Sequence, residues 1–445
     1  MRLTIPEPTI DLYKQGFEGT DKLRRNVDGK RLSKLVENIS DPMVIAIDAP
    51  WGAGKTVFLK CWVGAHTLEN EGTAQTVYFD SFANDYFDDP LISILEAIQN
   101  RFEKLGESEP QSVAKLKTFG SIVARSAVRI AARWVTGNLS EQIVAELGDE
   151  NLGNAVGEDL NEGAIAKASA LFSEATNASQ EAFSNFRTAL EELSATEKLV
   201  IVVDELDRCR PDYALSLLEV IKHFFNVPNV HFVLGTNLDA LVDSVRARHG
   251  SSINAQKYLQ KFISVTMPLR RRLSPVKGDT VEVAHLRHVA GCVDFDSVSF
   301  SWLVEEYLSV LQPTAHITLR DIERIVTKAI VAPEPPTSNS RFKDHMLVGA
   351  IFLGVLAPDV LEAARRGEMK KADFYAIFRL DADRNLSADA HDAHCVWAMV
   401  FRDRTKGLPQ YLERWETNVF GKRHANEHLR DVIAEFHDQF QIEVG

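Results

Sequence analysis

Residues 43–56 read MVIAIDAPWGAGKT, and this stretch decides the fold. Its first six residues are almost wholly apolar and rich in β-branched side chains, which is typical of a central strand buried in a parallel sheet. Residues 49–56 match the pattern GxxxxGK[ST], except that Ala49 stands at the first glycine. A helical sequence, VFLKCWVGAHTLE, follows at once. Strand, glycine-bearing loop and helix in this order predict a loop that binds phosphate groups.

The residue types in this loop suit a nucleotide. Consecutive backbone N–H groups and the positive end of the following helix dipole would surround the phosphate oxygens. Lys55 would reach the β- and γ-phosphates, and Thr56 would place its hydroxyl on Mg²⁺. The residues predicted to contact the nucleotide are Pro50, Trp51, Gly52, Ala53, Gly54, Lys55, Thr56 and Val57.

A second apolar run predicts a strand over residues 198–204, KLVIVVD, and is followed by a second acidic residue, Glu205. An aspartate at the end of a strand beside the phosphate-binding loop can hold Mg²⁺ through water, which is the role predicted for Asp204. The adjacent Glu205 is predicted to polarise the attacking water as general base. The alternative is an ordinary strand that ends in an acidic surface turn. For Arg208, sequence alone leaves open an ion pair within the loop or a contact to phosphate.

A third apolar run, residues 230–236, is followed by Asn237. A polar side chain there would lie between the acidic pair and the γ-phosphate, so Asn237 or Thr236 is predicted to sense the bound nucleotide. The alternative is a helix N-cap acting together with Asp239.

Strands separated by helices, with a further strand at residues 76–80, predict an α/β fold: a doubly wound parallel sheet. After about residue 280 the strand signal fades and helical patterns dominate. Prolines and small polar residues cluster at 332–340 and predict a linker. The predicted parts are an N-terminal segment (1–30), an α/β core (31–280) with a helical insertion (about 105–195), a helical lid (281–332) and a helical C-terminal domain (341–445).

Composition narrows the class of protein. The chain has 445 residues and a formal net charge of −13, which weighs against a protein whose main task is to hold nucleic acid on a basic surface. Its four cysteines form no CxxC pair, as expected for reduced thiols in the cytoplasm. The N-terminus lacks the apolar region of a secretory signal, and the most apolar stretch, Met346–Ala357, is too short to span a bilayer.

Taken together, these motifs resemble the KAP family of P-loop NTPases, in the additional-strand branch that also holds the AAA+ and STAND ATPases. The resemblance covers roughly residues 15 to 330. It rests on PWGAGKT (50–56), VYFDSFANDYFDDPLISIL (77–95), DELDRCRP (204–211), FVLGTNLDALVDSVRARHG (232–250), KYLQKFISVTMPL (257–269) and TLRDIERI (318–325).

The resemblance implies an ATPase that uses Mg²⁺ and switches conformation, often with self-assembly and, in bacteria, with links to phage exclusion and other defence. It supports the roles of Lys55, Thr56, Asp204 and Glu205, and it suggests Arg320 as a lid or trans-acting arginine on the γ-phosphate. Many relatives carry transmembrane helices between the phosphate-binding motif and the acidic motif. Here Arg125, Arg129 and Arg133 form one helical stripe in that region, which would be costly in lipid, so a soluble member is expected.

The expected function is therefore a Mg²⁺-dependent ATPase that acts as an assembly switch. No nuclease, protease or deaminase motif is visible in the last ~105 residues, so a separately encoded effector protein is the expected partner. A first alternative is a nucleotide-binding scaffold with little turnover that recruits a partner. A second, disfavoured by the acidic charge balance, is an ATPase stimulated by nucleic acid.

Overall fold

A computed structural model describes residues 8–86, 90–104, 187–223 except 189 and 196, 227–269, 280–332 except 294, 297, 299 and 313, 340–380, 388–401 and 424–438. Most of the predicted insertion lies outside these residues, and so do Arg125, Arg129 and Arg133.

The core is a five-stranded sheet in which every neighbouring pair runs parallel. The strands are β1 Met43–Asp48, β2 Gln75–Asp80, β3 Leu199–Asp204, β4 Val230–Thr236 and β5 Val265–Pro268. Their order in the sheet is β2-β3-β4-β1-β5, so β1, which leads into the phosphate motif, and β3, which ends in the acidic pair, flank β4. The predicted parallel sheet is confirmed, and the four predicted strands lie within one residue of their observed bounds.

Helices cover both faces of this sheet. Alternate residues of a strand point to opposite faces, and the buried residues of β3 divide accordingly: Ile201 packs with one set of helices and Val202 with the other. On one face lie α1 Asn26–Asn38 and α2 Lys55–Leu68. On the other lie α3 Pro90–Lys104, α4 Pro211–His223, α5 Leu238–His249 and α6 Ala255–Leu259. The sheet is thus doubly wound, as predicted.

The described residues after 280 are mainly helical. The helices are α7 Val281–Cys292, α8 Ser301–Ser309, α9 Leu319–Val331, α10 Ser340–Leu356, α11 Pro358–Arg366, α12 Lys371–Tyr375, α13 Ala388–Val400 and α14 Ala425–Asp438. Residues from both predicted helical parts, such as Ile325, Val348 and Trp397, belong to one continuous hydrophobic cluster. The division of the chain into domains stays a prediction. Within the residues described, no helix combines the length and apolarity needed to span a membrane.

Strand β5 was not predicted, and its composition explains why. It has only four residues, lies at the edge of the sheet, and is largely exposed, so it lacks the continuous apolar run that marks the central strands. It pairs with β1 from Ile45 to Asp48. The strand that leads into the phosphate motif is therefore hydrogen-bonded on both sides, by β4 and by β5.

His345 gives the helical part a pH-dependent stability. Its side chain is fully buried in α10, next to the rings of Trp302 and Tyr307. Burial lowers the pKa of His345 to about 3, with the charge of Arg341 acting in the same direction. An unfolded histidine titrates near pH 6.5. The stability due to the neutral imidazole is therefore present in full above pH 6.5 and is lost as the pH falls from there towards 3.

We expect His345→Leu to remove this pH dependence. Between pH 7.5 and pH 5, wild type should lose about 2 kcal/mol more free energy of unfolding than the variant, as the titration of one such group requires. Urea unfolding at the two pH values measures the difference. The matched control is His316→Leu, at an exposed histidine, which should lose as much stability as wild type. Equal losses in wild type and His345→Leu would show that His345 is protonated in the fold.

Candidate nucleotide-binding site

The phosphate motif forms a tight loop between β1 and α2. The Ala49 amide donates to the Thr236 carbonyl at 3.3 Å, which fixes the start of the loop on β4. Gly52 has a φ of +76°, in the left-handed region that a residue with a side chain rarely adopts. The loop ends where α2 begins at Lys55, so the N-terminal end of α2 faces the loop interior. This geometry is the one that presents backbone N–H groups to an anion.

Lys55 lies inside this loop. Its side chain is buried, and Nζ donates to the carbonyl oxygens of Ala49 at 2.6 Å and Pro50 at 3.4 Å. Burial lowers the pKa of Lys55, whereas the negative charges of Asp207 and Asp204 oppose this shift. The ammonium group is therefore held at the loop, where a negatively charged ligand would compensate its charge.

The structure brings Thr56, Asp204 and Glu205 together. Thr56 Oγ1 donates to Glu205 Oε1 at 3.3 Å, although the two residues are 149 positions apart in the chain. Asp204 is fully buried at the end of β3. Burial raises the pKa of Asp204 to about 6, the charge of Glu205 adds to this rise, and hydrogen bonds from Tyr78 and Thr56 oppose it.

These groups suit a hard divalent cation. A hydroxyl and a buried carboxylate are the oxygen donors that Mg²⁺ prefers, and Mg²⁺ usually takes only one or two protein ligands besides phosphate and water. A cation would also compensate the buried negative charge whose isolation raises the Asp204 pKa. The chemistry of Thr56 and Asp204 is compatible with Mg²⁺, and their role as its ligands stays a prediction.

Glu205 has an unusual backbone conformation, with a φ of +59°. It turns the chain from β3 into a short 3-10 helix, Leu206–Arg208. Arg208 Nη2 lies 3.2 Å from Glu205 Oε1, so of the two readings left open for Arg208, the structure has the ion pair. Left-handed backbone at a residue with a side chain costs about 1–3 kcal/mol, so the surrounding structure must hold Glu205 in place.

The end of β4 lies between the phosphate loop and the acidic pair, as its central place in the sheet requires. Asn237 occupies the N-cap position of α5, but its side chain makes no capping hydrogen bond. The amide of Leu238 instead donates to Asp48 Oδ1 at 3.0 Å. The alternative interpretation of Asn237 as a side-chain N-cap is therefore not what the structure has.

The start of α9 rests on the phosphate loop. The Leu319 amide donates to the Gly52 carbonyl at 3.1 Å. A Cβ atom placed on Gly52 would lie only 2.9 Å from Arg320 Cβ and 3.0 Å from Thr318 Oγ1. Arg320 therefore lies beside the phosphate loop of its own chain, and it is exposed. A capping box between Thr318 and Asp321 fixes this end of the helix.

Sequence reasoning missed several residues around the site. Arg25 is buried and donates from Nη1 to the Gly54 carbonyl at 3.2 Å. The indole N–H of Trp51 donates to Asp207 Oδ2, which ties the phosphate loop to the segment after Glu205. Gly235 allows Asp204 to approach β4, because a Cβ atom there would lie 2.6 Å from Asp204 Oδ1. The tryptophan inside the loop was the only local signal for any of these contacts.

Fold and site together define a nucleotide-binding protein of the P-loop NTPase class. A sequence profile described as the KAP family P-loop domain matches residues 25–331. The chain therefore belongs to the KAP family, as its motifs predicted.

Solved structures show a weaker likeness. Two structures of the ORC2 protein of Aeropyrum pernix, one with ADPNP and ADP and one with ADP, are each 12% identical to this chain. Their TM-scores are 0.34 and 0.33, with 93% and 94% of this chain and 94% and 95% of theirs covered. These scores are low, so we infer no function from them. A comparison with functionally curated proteins found no significant match.

Proposed function

We propose that the chain is a Mg²⁺-dependent ATPase whose nucleotide state controls the contact between the phosphate loop and α9. One observation carries the proposal: Lys55, Thr56, Asp204 and Glu205 meet at one edge of the sheet. The phosphate loop at this edge also contacts α9, through the hydrogen bond from Leu319 to Gly52. The choice of ATP over GTP rests on the family resemblance, since no guanine-reading NKxD sequence accompanies the motifs.

In this proposal the loop amides and Lys55 bind the β- and γ-phosphates, and Val57 belongs to the same first turn of α2. Thr56 and Asp204 would hold Mg²⁺, which would supply positive charge to compensate that of the phosphates. Glu205 takes a proton from a water molecule as the water oxygen bonds to the γ-phosphorus. The bond to the bridging oxygen breaks, and ADP carries away the electron pair. Most of the rate acceleration would come from positioning and charge compensation.

Two residues would report the nucleotide state. Asn237 directly follows the strand between the loop and the acidic pair, and its side chain makes no capping hydrogen bond, so its amide would be able to meet a γ-phosphate. Arg320 is exposed at the start of α9 beside Gly52, which favours the lid role over the trans-acting one. Loss of the γ-phosphate would then release α9 from the site.

The proposed output is self-assembly. Three large aromatic side chains are exposed on connections that leave the site edge of the sheet: Trp51 at 50%, Phe82 at 48% and Tyr86 at 69%. Aromatic side chains are enriched at protein interfaces, so their exposure at this edge supports an interface there. A homo-oligomer acting in the cytoplasm, in bacterial defence against phage and through a separate effector protein, is our working hypothesis, and its defence component rests on the family resemblance alone.

A specific observation favours one rival function. Glu205 Oε1 is engaged by both Thr56 and Arg208, and a base held in this way would activate water poorly. If ATP binding left these contacts in place, the chain would be a nucleotide-gated scaffold with little turnover.

Mass photometry and phosphate release, measured together on the full-length wild-type protein, test the proposal. With ATP and Mg²⁺ we expect particles larger than those with ADP or without nucleotide, together with steady release of phosphate. Unchanged particles without phosphate release would support the scaffold. A rate that rises strongly with added DNA or RNA would support the nucleic-acid-stimulated alternative.

A further inference from the structure

Tyr78 lies in one of the segments that carry the family resemblance, but sequence reasoning assigned no role to it; in the structure it contacts the proposed metal ligand directly. It lies on β2, at the outer edge of the sheet, and its hydroxyl donates to Asp204 Oδ2 at 2.8 Å. We propose that Tyr78 is a positioning residue that fixes the Asp204 carboxylate for binding of Mg²⁺–ATP. This inference rests on the proposed function, because it requires Asp204 to serve the metal.

The surroundings of Asp204 leave its carboxylate little freedom once Tyr78 is bonded. Oδ1 accepts the Glu205 amide at 2.9 Å and faces Gly235, where even a Cβ atom would collide with it. Oδ2 accepts the Tyr78 hydroxyl. Both oxygens thus have a partner, one in the residue that follows Asp204 and one on the neighbouring strand β2, and together these bonds set the plane of the carboxylate. Partners of this kind orient metal ligands, and their removal typically weakens metal binding or activity about 10–100-fold.

Tyr78 is held in turn by the N-terminal segment. Its backbone amide points away from β3 and donates to the Tyr13 hydroxyl at 2.9 Å, which replaces the strand partner that an edge strand lacks. The Arg101 guanidinium stacks over the Tyr13 ring at 3.8 Å from its centre. Tyr13 precedes the segment that the family profile matches. The support for Tyr78 therefore comes partly from outside the shared P-loop domain.

Binding of Mn²⁺ with ATP, followed by electron paramagnetic resonance, tests the inference. We would use the full chain with Glu205→Gln, so that ATP is not consumed, and compare it with the same chain carrying Tyr78→Phe. The Phe variant loses only the hydroxyl. We expect the dissociation constant for Mn²⁺ to rise about 10–100-fold, while ATP binding in EDTA stays unchanged. Tyr13→Phe should raise the dissociation constant for Mn²⁺ less, because Tyr13 contacts Tyr78 and not Asp204 itself.

The matched control is Tyr258→Phe, which removes a tyrosine hydroxyl bonded to the carboxylate of Glu219 on the other side of the domain. It should leave Mn²⁺ binding unchanged. In the active protein, with Glu205 present, Tyr78→Phe should raise the Mg²⁺ concentration for half-maximal rate and recover most of the maximal rate at saturation. A merely structural role would lower the maximal rate without shifting that concentration.

The outcomes separate the two proposals. If the Glu205→Gln parent binds ATP but no Mn²⁺ with it, the metal assignment fails and the role of Tyr78 falls with it. If the parent binds Mn²⁺ and Tyr78→Phe binds it equally well, only the role of Tyr78 is overturned. Equal loss of ATP binding in EDTA would likewise overturn it, because the hydroxyl would then support the fold of the site and not its metal.

Discussion

Lys55→Ala should abolish nucleotide binding at concentrations that saturate wild type. The Lys55 ammonium group is buried within the loop and bonded to its carbonyl oxygens, so it is held where its charge would compensate that of the phosphates. Two unit charges 4 Å apart interact by about 4 kcal/mol at the effective dielectric constant near a protein surface, which corresponds to an affinity about 1,000-fold lower. Calorimetric titration with ATP, with and without Mg²⁺, measures the loss.

This loss should not be confused with unfolding. Burial disfavours the charged form of Lys55, as its lowered pKa shows, so removal of the ammonium group is not expected to destabilise the protein without nucleotide. Lys34→Ala removes the same charge from an exposed position on α1 and serves as the control. It should bind ATP as wild type does. Normal ATP binding by Lys55→Ala would show that the nucleotide site lies elsewhere.

Glu205→Gln should retain ATP and lose hydrolysis. Glutamine keeps the length of the side chain and its hydrogen bond from Thr56, but it cannot accept a proton from water. General-base catalysis contributes about 100- to 10,000-fold, so phosphate release should fall by at least about 100-fold. Because the ATP state then persists, mass photometry should find the larger particles at a higher fraction than in wild type.

The structure offers a close control for this variant. Glu71 is an exposed glutamate with a φ of +55°, almost the backbone conformation of Glu205. Glu71→Gln therefore tests the same chemical change, with the same backbone constraint, away from the site, and it should hydrolyse ATP as wild type does. Undiminished phosphate release by Glu205→Gln would remove Glu205 from the mechanism and leave the base unassigned.

The sequence predicted the parts of the site that depend on local pattern. Each of these parts is recognisable within a few residues: the apolar run before Ala49, the glycines after it and the acidic end of β3. Parallel pairing then explains why Asp48, Asp204 and Thr236 share one edge of the sheet. The departure at Ala49 proved harmless to the loop geometry, because its backbone amide and carbonyl make the contacts there.

The residues that were missed act over long sequence distances. Tyr78 and Asp204 are 126 positions apart, and Arg25 reaches Gly54 across 29. No periodicity links such pairs, since each contact depends on how separate elements pack. The contact of Arg320 with the phosphate loop is of the same kind: α9 itself was predictable from its helical pattern, but only the family resemblance pointed to its arginine.

The hydrogen bond between Gly52 and Leu319 joins the phosphate loop to the helical part of the chain. In the proposed function, coupling through this bond would act in both directions. The buried side chains of the helical part form one cluster that runs from Val281 in α7 to Phe436 in α14, so displacement of any one helix is resisted by the others. Thermodynamic linkage is reciprocal: if ATP changes the affinity of this region for a ligand, that ligand must change the affinity for ATP by the same factor. If the proposed switch operates, a protein that binds a remote helix would therefore change the ATP concentration at which the molecule responds, without approaching the nucleotide.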